Sequence, residues 1–187
     1  LSMGIGFALK DTIENIISGL SLMLGRLRQG DMIECDGYRG RVSSLGYRST
    51  MIETLDGSII AFQNSQLFNK NFRNMTRNHK FECVKVEVGI SYGTDVERAR
   101  KIILETLATQ PFLSKVKKTS VVLDSFGDSA VNLGVWVWVP VMTKSSSLSS
   151  VREHIYHAFN EHGISIPFPQ PDLYVKEFPG GAPVQGT

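Results

Sequence analysis

Apolar residues recur every three or four positions along the first 28 residues, which is the period of an α-helix. From Leu9 onward the large apolar residues are Leu9, Ile13, Ile16, Ile17, Leu20, Leu24 and Leu27. Before Leu9, uncharged small and large residues alternate from Met3 to Ala8, a composition that suits close helix-to-helix contact in lipid. The pattern therefore predicts an apolar helical start followed by an amphipathic helix, together covering residues 1–28.

The sequence Asp11-Thr12-Ile13-Glu14 has the composition of a capping box, in which an N-terminal Asp and a Glu three residues later satisfy the free N–H groups of a new helix. This motif predicts that the apolar helix ends near Lys10 and that the amphipathic helix begins at about Asp11. A single unbroken helix, with Asp11 and Glu14 on its solvated face, fits the same pattern equally well.

The beginning of the chain suggests a connection to a membrane. No run of about 18 apolar residues is present, so the chain contains no complete membrane span. It opens without Met, in the middle of an apolar pattern, and lacks the basic stretch and cleavage site of a signal peptide. Either a transmembrane portion precedes Leu1, or Leu1–Met3 are foreign residues ahead of a soluble domain. The lipid-like composition of Gly4–Leu9 favours the first interpretation.

Two arginines, Arg26 and Arg28, close the predicted helix before the turn at Gln29–Asp31. Cations suit the C-terminal end of a helix, and they also accumulate at the cytoplasmic face of membranes. We therefore assign Arg26 and Arg28 as candidate membrane-interface residues, with ordinary solvated surface charge as the alternative.

Short alternating segments predict a strand-rich domain over residues 29–76. Asp36-Gly37 and Asp56-Gly57 each lie between two apolar runs, which is a strong hairpin signal. Four or five short strands within about forty residues indicate a small barrel or curled sheet. Gln63-Asn64-Ser65 interrupts the pattern, and a strand near 71–74 is expected to close it.

A polar, basic segment at residues 76–80 marks a domain boundary, and the elements after it predict an α/β domain over residues 77–171. Their order is β-α-β-β-α-β, the ferredoxin-like arrangement. Capping boxes at Thr94–Glu97 and Ser150–Glu153 are expected to open the two helices. The last strand lies within residues 172–178, and residues 179–187 form a flexible tail rich in Pro and Gly. The fold class is thus α/β in several parts, with an N-terminal membrane-proximal amphipathic helix and a C-terminal strand.

Composition narrows the function classes. The net charge of +2 gives no basic excess of the kind that nucleic-acid binding requires. Cys35 and Cys83 lie far apart and belong to no paired motif, which predicts reduced structural thiols in a cytosolic setting.

The sequence gives little support for catalysis, and we predict no enzymatic activity, no cofactor and no metal. His154, His157 and Glu161 share one face of a predicted helix at a spacing able to hold zinc, but a solvated helix face is the simpler interpretation. No nucleophile elbow, phosphate-cradling loop or CxxC pair is present.

Trp136 and Trp138 alternate with valines, so they lie on the strand face away from the predicted helices. Two tryptophans on a free sheet face can stack RNA bases, pack against a neighbouring subunit, or be covered by the chain's own C-terminal segment. The absence of basic excess favours the neighbouring subunit.

Four segments of the chain resemble the small-conductance mechanosensitive channel family. They are GFALKDTIENIISG, RQGDMIECDGYRGRVSSLGYRSTMIETLDGSIIAFQNS, GISYGTD and HGISIPFPQPDLYV, and the resemblance extends from about Gly4 to Lys176. It implies a pore-lining helix, a small Sm-like β domain, an α/β domain and a terminal barrel strand. It also implies a homo-oligomer of seven copies in the cell (inner) membrane, with most of this chain on the cytoplasmic side.

The same resemblance implies roles for residues of the first helix. Met3 and Phe7 fall where the family has two constricting apolar rings, and Gly4, Gly6 and Ala8 fall where small residues let neighbouring helices slide. Asp11, Glu14 and Gly19 are the candidate residues for a helix break or hinge. Asp11 stands where some members have a glycine, so the capping box offers another physical cause for a bend there.

We therefore expect a mechanosensitive channel subunit with a tension-gated hydrophobic pore, a vented cytoplasmic vestibule and a role in osmotic protection. The expected partners are further copies of the chain and the lipid bilayer, which the N-terminal helix contacts, and no nucleic acid. The alternative is a soluble RNA-binding protein that combines an Sm-like barrel with an RNA-recognition-like sheet.

Overall fold

The computed structural model of this chain describes residues 2–168, in which a long N-terminal helix precedes two antiparallel sheets and their helices. Helix α1 spans Ser2–Ser21 and leads into a π-helical turn over Leu22–Arg26. The predicted helix start at Asp11 is wrong, and the alternative of one unbroken helix is correct. The residues before Asp11 are themselves helical, so the N–H groups near Asp11 already find carbonyl partners one turn earlier and need no cap.

None of the helices within residues 2–168 combines the length and the apolar character needed to cross a bilayer. Lys10, Asp11 and Glu14 place three charges in the middle of α1.

The first sheet has five antiparallel strands in the order β4-β3-β2-β1-β5. The strands are β1 Met32–Cys35, β2 Tyr38–Leu45, β3 Ser49–Thr54, β4 Ile59–Gln63 and β5 Arg73–Asn74. The expected closing strand near 71–74 is confirmed as β5, which pairs with β1. We call this sheet, together with helix α2, the β domain.

Both predicted Asp-Gly hairpins are confirmed. Asp36 and Gly37 have φ angles of 52° and 80°, and Gly57 has a φ of 84°. These left-handed conformations reverse the chain between β1 and β2 and between β3 and β4, with a twist that matches the flanking strands.

Helix α2, Asn64–Asn69, follows β4 directly and lies against α1. The sequence pattern predicted only an interruption at Gln63-Asn64-Ser65. Leu67 of α2 is fully buried in a core that it shares with Leu22, Leu27 and Ile33. A single short helix therefore ties the end of α1 to the sheet.

The second sheet has three antiparallel strands in the order β6-β8-β7, and we call it, with its two helices, the α/β domain. Its elements are β6 Phe81–Ile90, α3 Val96–Ala108, β7 Ser120–Phe126, β8 Val131–Pro140, a 3-10 turn at Val141–Thr143, and α4 Lys144–Glu161. The predicted inward face of β8 is confirmed, because its alternate apolar residues from Val131 to Val139 are all buried.

The two predicted capping boxes of this domain have different outcomes. Asp95 caps α3 by accepting hydrogen bonds from the backbone N–H groups of Glu97 and Arg98, one residue after the predicted Thr94. The predicted start of the last helix at Ser150 is wrong, because α4 already begins at Lys144. Ser149 instead donates to Glu153 across one turn of α4, so Glu153 contacts a residue within the helix. The predicted C-terminal strand within 172–178 and the tail at 179–187 lie outside the described residues.

Candidate functional site: helix α1 and its contact with the β domain

Helix α1 turns its apolar stripe away from the rest of the chain, and the side that meets the chain carries the small or polar residues Asn15, Ser18 and Gly19. Ile17 is 60% exposed, whereas Asn15 is 6% exposed. The other exposed apolar residues of the stripe are Leu9, Ile13, Ile16, Leu20 and Leu24. Soluble helices normally have the opposite arrangement. A continuous exposed apolar stripe of this kind marks a surface that contacts lipid or another protein.

Asn15 makes one hydrogen bond within α1 and one to α2. Its side-chain Nδ2 donates to the carbonyl of Asp11 at 2.8 Å, and its Oδ1 accepts from the backbone N–H of Ser65 at 3.0 Å. Gln63, the residue before α2, makes no side-chain capping bond of its own. Because the first N–H groups of a helix have no partner within the helix, Asn15 supplies a cap to α2 from a neighbouring helix.

Gly19 lies one turn further along α1, directly above Asn64. The Asn64 side chain is fully buried, and each of its polar atoms is used. Its Nδ2 donates to the carbonyls of Gly46 and Tyr47, both at 2.9 Å, and its Oδ1 accepts from the hydroxyl of Thr50 at 2.9 Å. A Cβ atom at position 19 would overlap Asn64 Nδ2 and lie 3.0 Å from the Tyr47 carbonyl oxygen. The helix is regular at Gly19, so here the glycine allows close contact and does not break the helix.

The two candidate membrane-interface arginines differ in their surroundings. Arg26 lies over the ring of Phe68, with 4.6 Å from its guanidinium carbon to the ring centroid, and Nη1 donates to the Phe68 carbonyl at 3.5 Å. Arg28 is exposed, and its backbone N–H donates to Asp31 at 3.0 Å. Arg26 is therefore anchored to the β domain through α2, while the Arg28 side chain faces outward.

The predicted constriction residues Met3 and Phe7 lie in α1, as do Gly4 and Ala8, but the side chains of these residues lie outside the described part of the chain. Gly6 is exposed, and a Cβ atom added there would meet no other atom within 4 Å. Asp11 and Glu14 are both exposed on the helix. The roles of these residues in a pore or hinge stay predictions.

Sequence reasoning missed Asn15 and Asn64, which make the contact between α1 and the β domain. A signal for this contact exists in the sequence. Asn15, Ser18, Gly19 and Leu22 recur at helical spacing on the side opposite the apolar stripe, and all four are buried. Periodicity identified the two faces of α1, but it did not show which of them meets the domain.

The outer face of the second sheet carries the two tryptophans. Trp136 is 40% exposed and stands opposite Lys85 in the strand register. Trp138 is half-buried, with the His79 ring 5.5 Å away edge-on and the Lys117 ammonium 5.2 Å from its ring centroid. Residues of the domain linker and of the loop before β7 thus cover part of this face within residues 2–168.

The candidate zinc residues do not form a metal site. Among the described residues no group of three or more His, Cys, Asp and Glu is placed to hold an ion. The Nδ1 atom of His154 lies 2.7 Å from the carbonyl oxygen of Ser150 in its own helix. Cys35 and Cys83 are free thiols, and burial followed by the neighbouring charge of Asp36 raises the pKa of Cys35.

Two family models match successive parts of the chain. Residues 11–77 match the mechanosensitive ion channel beta-domain, and residues 84–166 match the C-terminal domain of the mechanosensitive ion channel MscS. An MscS family protein of Archaeoglobus fulgidus is 33% identical over 169 residues, which cover 89% of this chain and 59% of the relative. The chain belongs to the MscS family.

Other MscS family relatives agree with this assignment. The small-conductance mechanosensitive channel of Helicobacter pylori is 28% identical over 94% of this chain and 65% of its own length. The small-conductance mechanosensitive channel MscMJ of Methanocaldococcus jannaschii is 30% identical over 94% of this chain and 51% of its own length. The chain thus spans about half to two thirds of the length of these three relatives.

Two solved structures share the fold of this chain. The closed-state crystal structure of Helicobacter pylori MscS superimposes with a TM-score of 0.79 at 28% identity, covering 95% of this chain and 70% of that one. The cryo-EM structure of Arabidopsis thaliana MSL1 gives a TM-score of 0.68 at 19% identity over 90% of this chain and 63% of that one, a similarity of fold alone. The mixed α/β fold with an N-terminal helix is confirmed. These matches give no support to the RNA-binding alternative.

Proposed function

We propose that this chain is the membrane-proximal and cytoplasmic part of a subunit of a tension-gated ion channel, with a role in osmotic protection. The observation that carries the proposal is the exposed apolar stripe of α1, combined with the polar contact that holds the opposite face of α1 against the β domain. An apolar helix surface of this kind requires lipid or neighbouring helices, and both are present where an MscS family channel enters the membrane.

The pore in this proposal is formed by the first turns of α1 from several copies. Apolar rings at Met3 and Phe7 block ions in the closed state, because a narrow hydrophobic neck loses its water. Small residues at Gly4, Gly6 and Ala8 let adjacent helices slide as they tilt. Membrane tension favours the state with the larger in-plane area and so shifts the equilibrium toward the open pore without any chemical ligand.

Below the neck, α1 transmits this movement to the β domain. Asp11, Glu14 and Gly19 are the proposed hinge residues, and Arg26 and Arg28 the proposed membrane-interface residues. The hydrogen bond from Ser65 to Asn15 and the cation–π contact of Arg26 with Phe68 support this role, because both hold the end of α1 on α2. A tilt of α1 therefore moves α2 and the sheet with it.

The proposed assembly is a homo-heptamer in the inner membrane, with the two sheet domains on the cytoplasmic side enclosing a vented vestibule. The strand order β4-β3-β2-β1-β5 supports an Sm-like β domain, and the order β6-β8-β7 supports a ferredoxin-like domain. Channel activity needs no catalytic residue and no cofactor, and we propose none.

Patch-clamp recording from liposomes that contain the full-length subunit tests the proposal. The variant Phe7→Ser should open at lower tension than the natural protein, because a polar ring wets the neck. The matched control is Val116→Ser, which makes a similar apolar-to-Ser change at a residue that is 88% exposed on the α/β domain. An unchanged threshold in Phe7→Ser would remove Phe7 from the gate.

A further inference from the structure

The β domain and the α/β domain have separate hydrophobic cores. One core draws its buried residues from Leu22 to Leu67, and the other draws its buried residues from Val86 to Ile164. Residues 75–80 connect the domains, and Arg77 to Lys80 of this segment are exposed. No apolar core spans the junction within the described residues. The position of one domain against the other therefore rests on polar contacts between them and on the bonds of the linker, in which the Met75 N–H donates to the Met32 carbonyl and the Val141 N–H donates to the Lys80 carbonyl.

Those polar contacts are concentrated on one carboxylate. Within residues 2–168, the hydrogen bonds that join the two domains run from Arg39 of β2 to Glu82 of β6. Arg39 Nη2 lies 2.7 Å from Glu82 Oε2, and Arg39 Nη1 lies 3.4 Å from Oε1. The second cation on Glu82 is Lys144, whose Nζ lies 2.9 Å from Oε1. Both oxygens of Glu82 therefore accept charged donors, and these donors come from two different domains.

Glu82 is needed to balance the positive charges of Arg39 and Lys144 at the domain junction. Lys144 is the first residue of α4, where a positive charge opposes the helix dipole, and the first turn of α4 contains no acidic residue. The Nε atom of Arg39 is buried without a hydrogen-bond partner among the described residues. Without Glu82, two cations and an unpaired donor would face one another at the domain junction.

The group is also accessible to dissolved ions. The side chains of Arg39, Glu82 and Lys144 are 21%, 22% and 30% exposed. The screening length falls from about 10 Å at 0.1 M salt to about 3 Å at 1 M. Salt therefore weakens the attraction within this partly exposed group, although less than it would between fully exposed charges, while the two hydrophobic cores are unaffected by the same screening.

We propose that Arg39, Glu82 and Lys144 form an ionic latch that fixes the β domain against the α/β domain and opens as ionic strength rises. While the latch is closed, movement of the β domain is passed to the α/β domain as a rigid unit. After it opens, the two domains pivot about residues 77–79, which lie between the bonds of Met75 and Thr76 to Met32 and the bond of the Val141 N–H to the Lys80 carbonyl. The consequence for gating rests on the proposed function, but the latch itself does not depend on channel activity.

A distance measurement between the domains tests the latch independently of any current. Spin labels on Glu53→Cys in the β domain and Arg152→Cys in the α/β domain report the separation; both positions are exposed. The assembled full-length subunit is used, with Cys83→Ser to remove the more accessible thiol and with excess unlabelled subunits to suppress distances between copies. Distances are recorded at 0.1 M and 1 M KCl.

The latch predicts one narrow distance at 0.1 M KCl and a loss of at least half of that population at 1 M. Glu82→Gln should show the separated distribution already at 0.1 M, with no further effect of salt. Glu34→Gln is the matched control: it removes a carboxylate 3.7 Å from Arg73 within the β domain, and it should behave like the natural protein. The triple variant Arg39→Glu, Glu82→Arg, Lys144→Glu reverses all three charges and should restore the narrow distance.

Two results would overturn the latch. The first is a natural protein whose distance distribution is the same at both salt concentrations. The second is a Glu82→Gln variant that keeps the narrow distance while the triple variant loses it. Channel recordings have no bearing on either result, so failure of the latch and failure of the proposed function are distinguishable.

Discussion

Replacing Gly19 with alanine should loosen the contact between α1 and the β domain. The new methyl group overlaps Asn64 Nδ2 and lies 3.0 Å from the Tyr47 carbonyl oxygen. Neither neighbour can move freely, because Asn64 is fully buried and holds the carbonyls of Gly46 and Tyr47. The variant must therefore displace the Asn64 side chain or lift α1 from the sheet.

The size of the effect follows from these contacts. Overpacking of a tight site costs about 1–3 kcal/mol, and each buried donor left without its partner costs a further amount of about 1–3 kcal/mol. Alanine returns about 1 kcal/mol through its higher helix propensity. The net loss in the free energy of unfolding is then about 1–5 kcal/mol, which lowers the urea midpoint by roughly 0.3–2.5 M for a slope of about 2–3 kcal/mol per M.

Urea unfolding of the purified chain measures this loss, and the chain supplies its own internal control. Both tryptophans lie in β8, so their fluorescence follows the α/β domain alone, whereas far-ultraviolet circular dichroism follows both domains. Gly19→Ala should shift the dichroism transition of the β domain and leave the fluorescence transition in place. Gly6→Ala is the control in the same helix: its new Cβ atom meets no other atom within 4 Å, so this variant should not be destabilised. Equal behaviour of the two variants would refute the close-contact role of Gly19.

Three further predictions concern single side chains. Asn15→Ala should speed hydrogen exchange at the Ser65 amide and lower stability by about 1 kcal/mol, as loss of a helix cap does; exchange unchanged from the natural protein would contradict the capping bond. Partial burial raises the pKa of Glu82, but bonds from Arg39 and Lys144 outweigh it and leave that pKa below its ordinary value. The stabilisation that ionised Glu82 provides is therefore complete above the ordinary pKa of a Glu side chain and is lost as the pH falls through the lowered pKa of Glu82. The free energies of unfolding of the natural chain and of Glu82→Gln should therefore differ above these two pKa values and converge below them. Cys35 is buried with a raised pKa, so it should react with a thiol reagent more slowly than the partly exposed Cys83; equal rates would contradict its burial.

The sequence predicted the elements that local chemistry specifies. Asp36, Gly37 and Gly57 adopt left-handed conformations that few other residue types accept, so the hairpins followed from the residues themselves. The alternation of apolar residues along β8 likewise determined its buried face, and the order of strands and helices after residue 80 matched the expected one as far as the described residues extend.

The features that were missed depend on contacts distant in sequence. A capping box at Asp11 has no effect when the preceding turn is helical, and the composition of residues 11–14 does not reveal that. Helix α2 exists because Leu67 enters the core beside α1 and Asn15 caps its first turn, neither of which is visible in Asn64–Asn69 alone. The exposed orientation of the apolar stripe is a tertiary property, because an amphipathic pattern is the same whichever face meets the domain.

The central claim, that this chain belongs to a pore gated by membrane tension, is tested most directly by one recording. The full-length subunit is reconstituted as the sole protein in liposomes, and current is measured while suction stretches the patch. We expect discrete openings whose frequency rises steeply with tension in the absence of any added ligand. Patches that contain the assembled protein and remain silent up to the tension at which the membrane ruptures would contradict the claim.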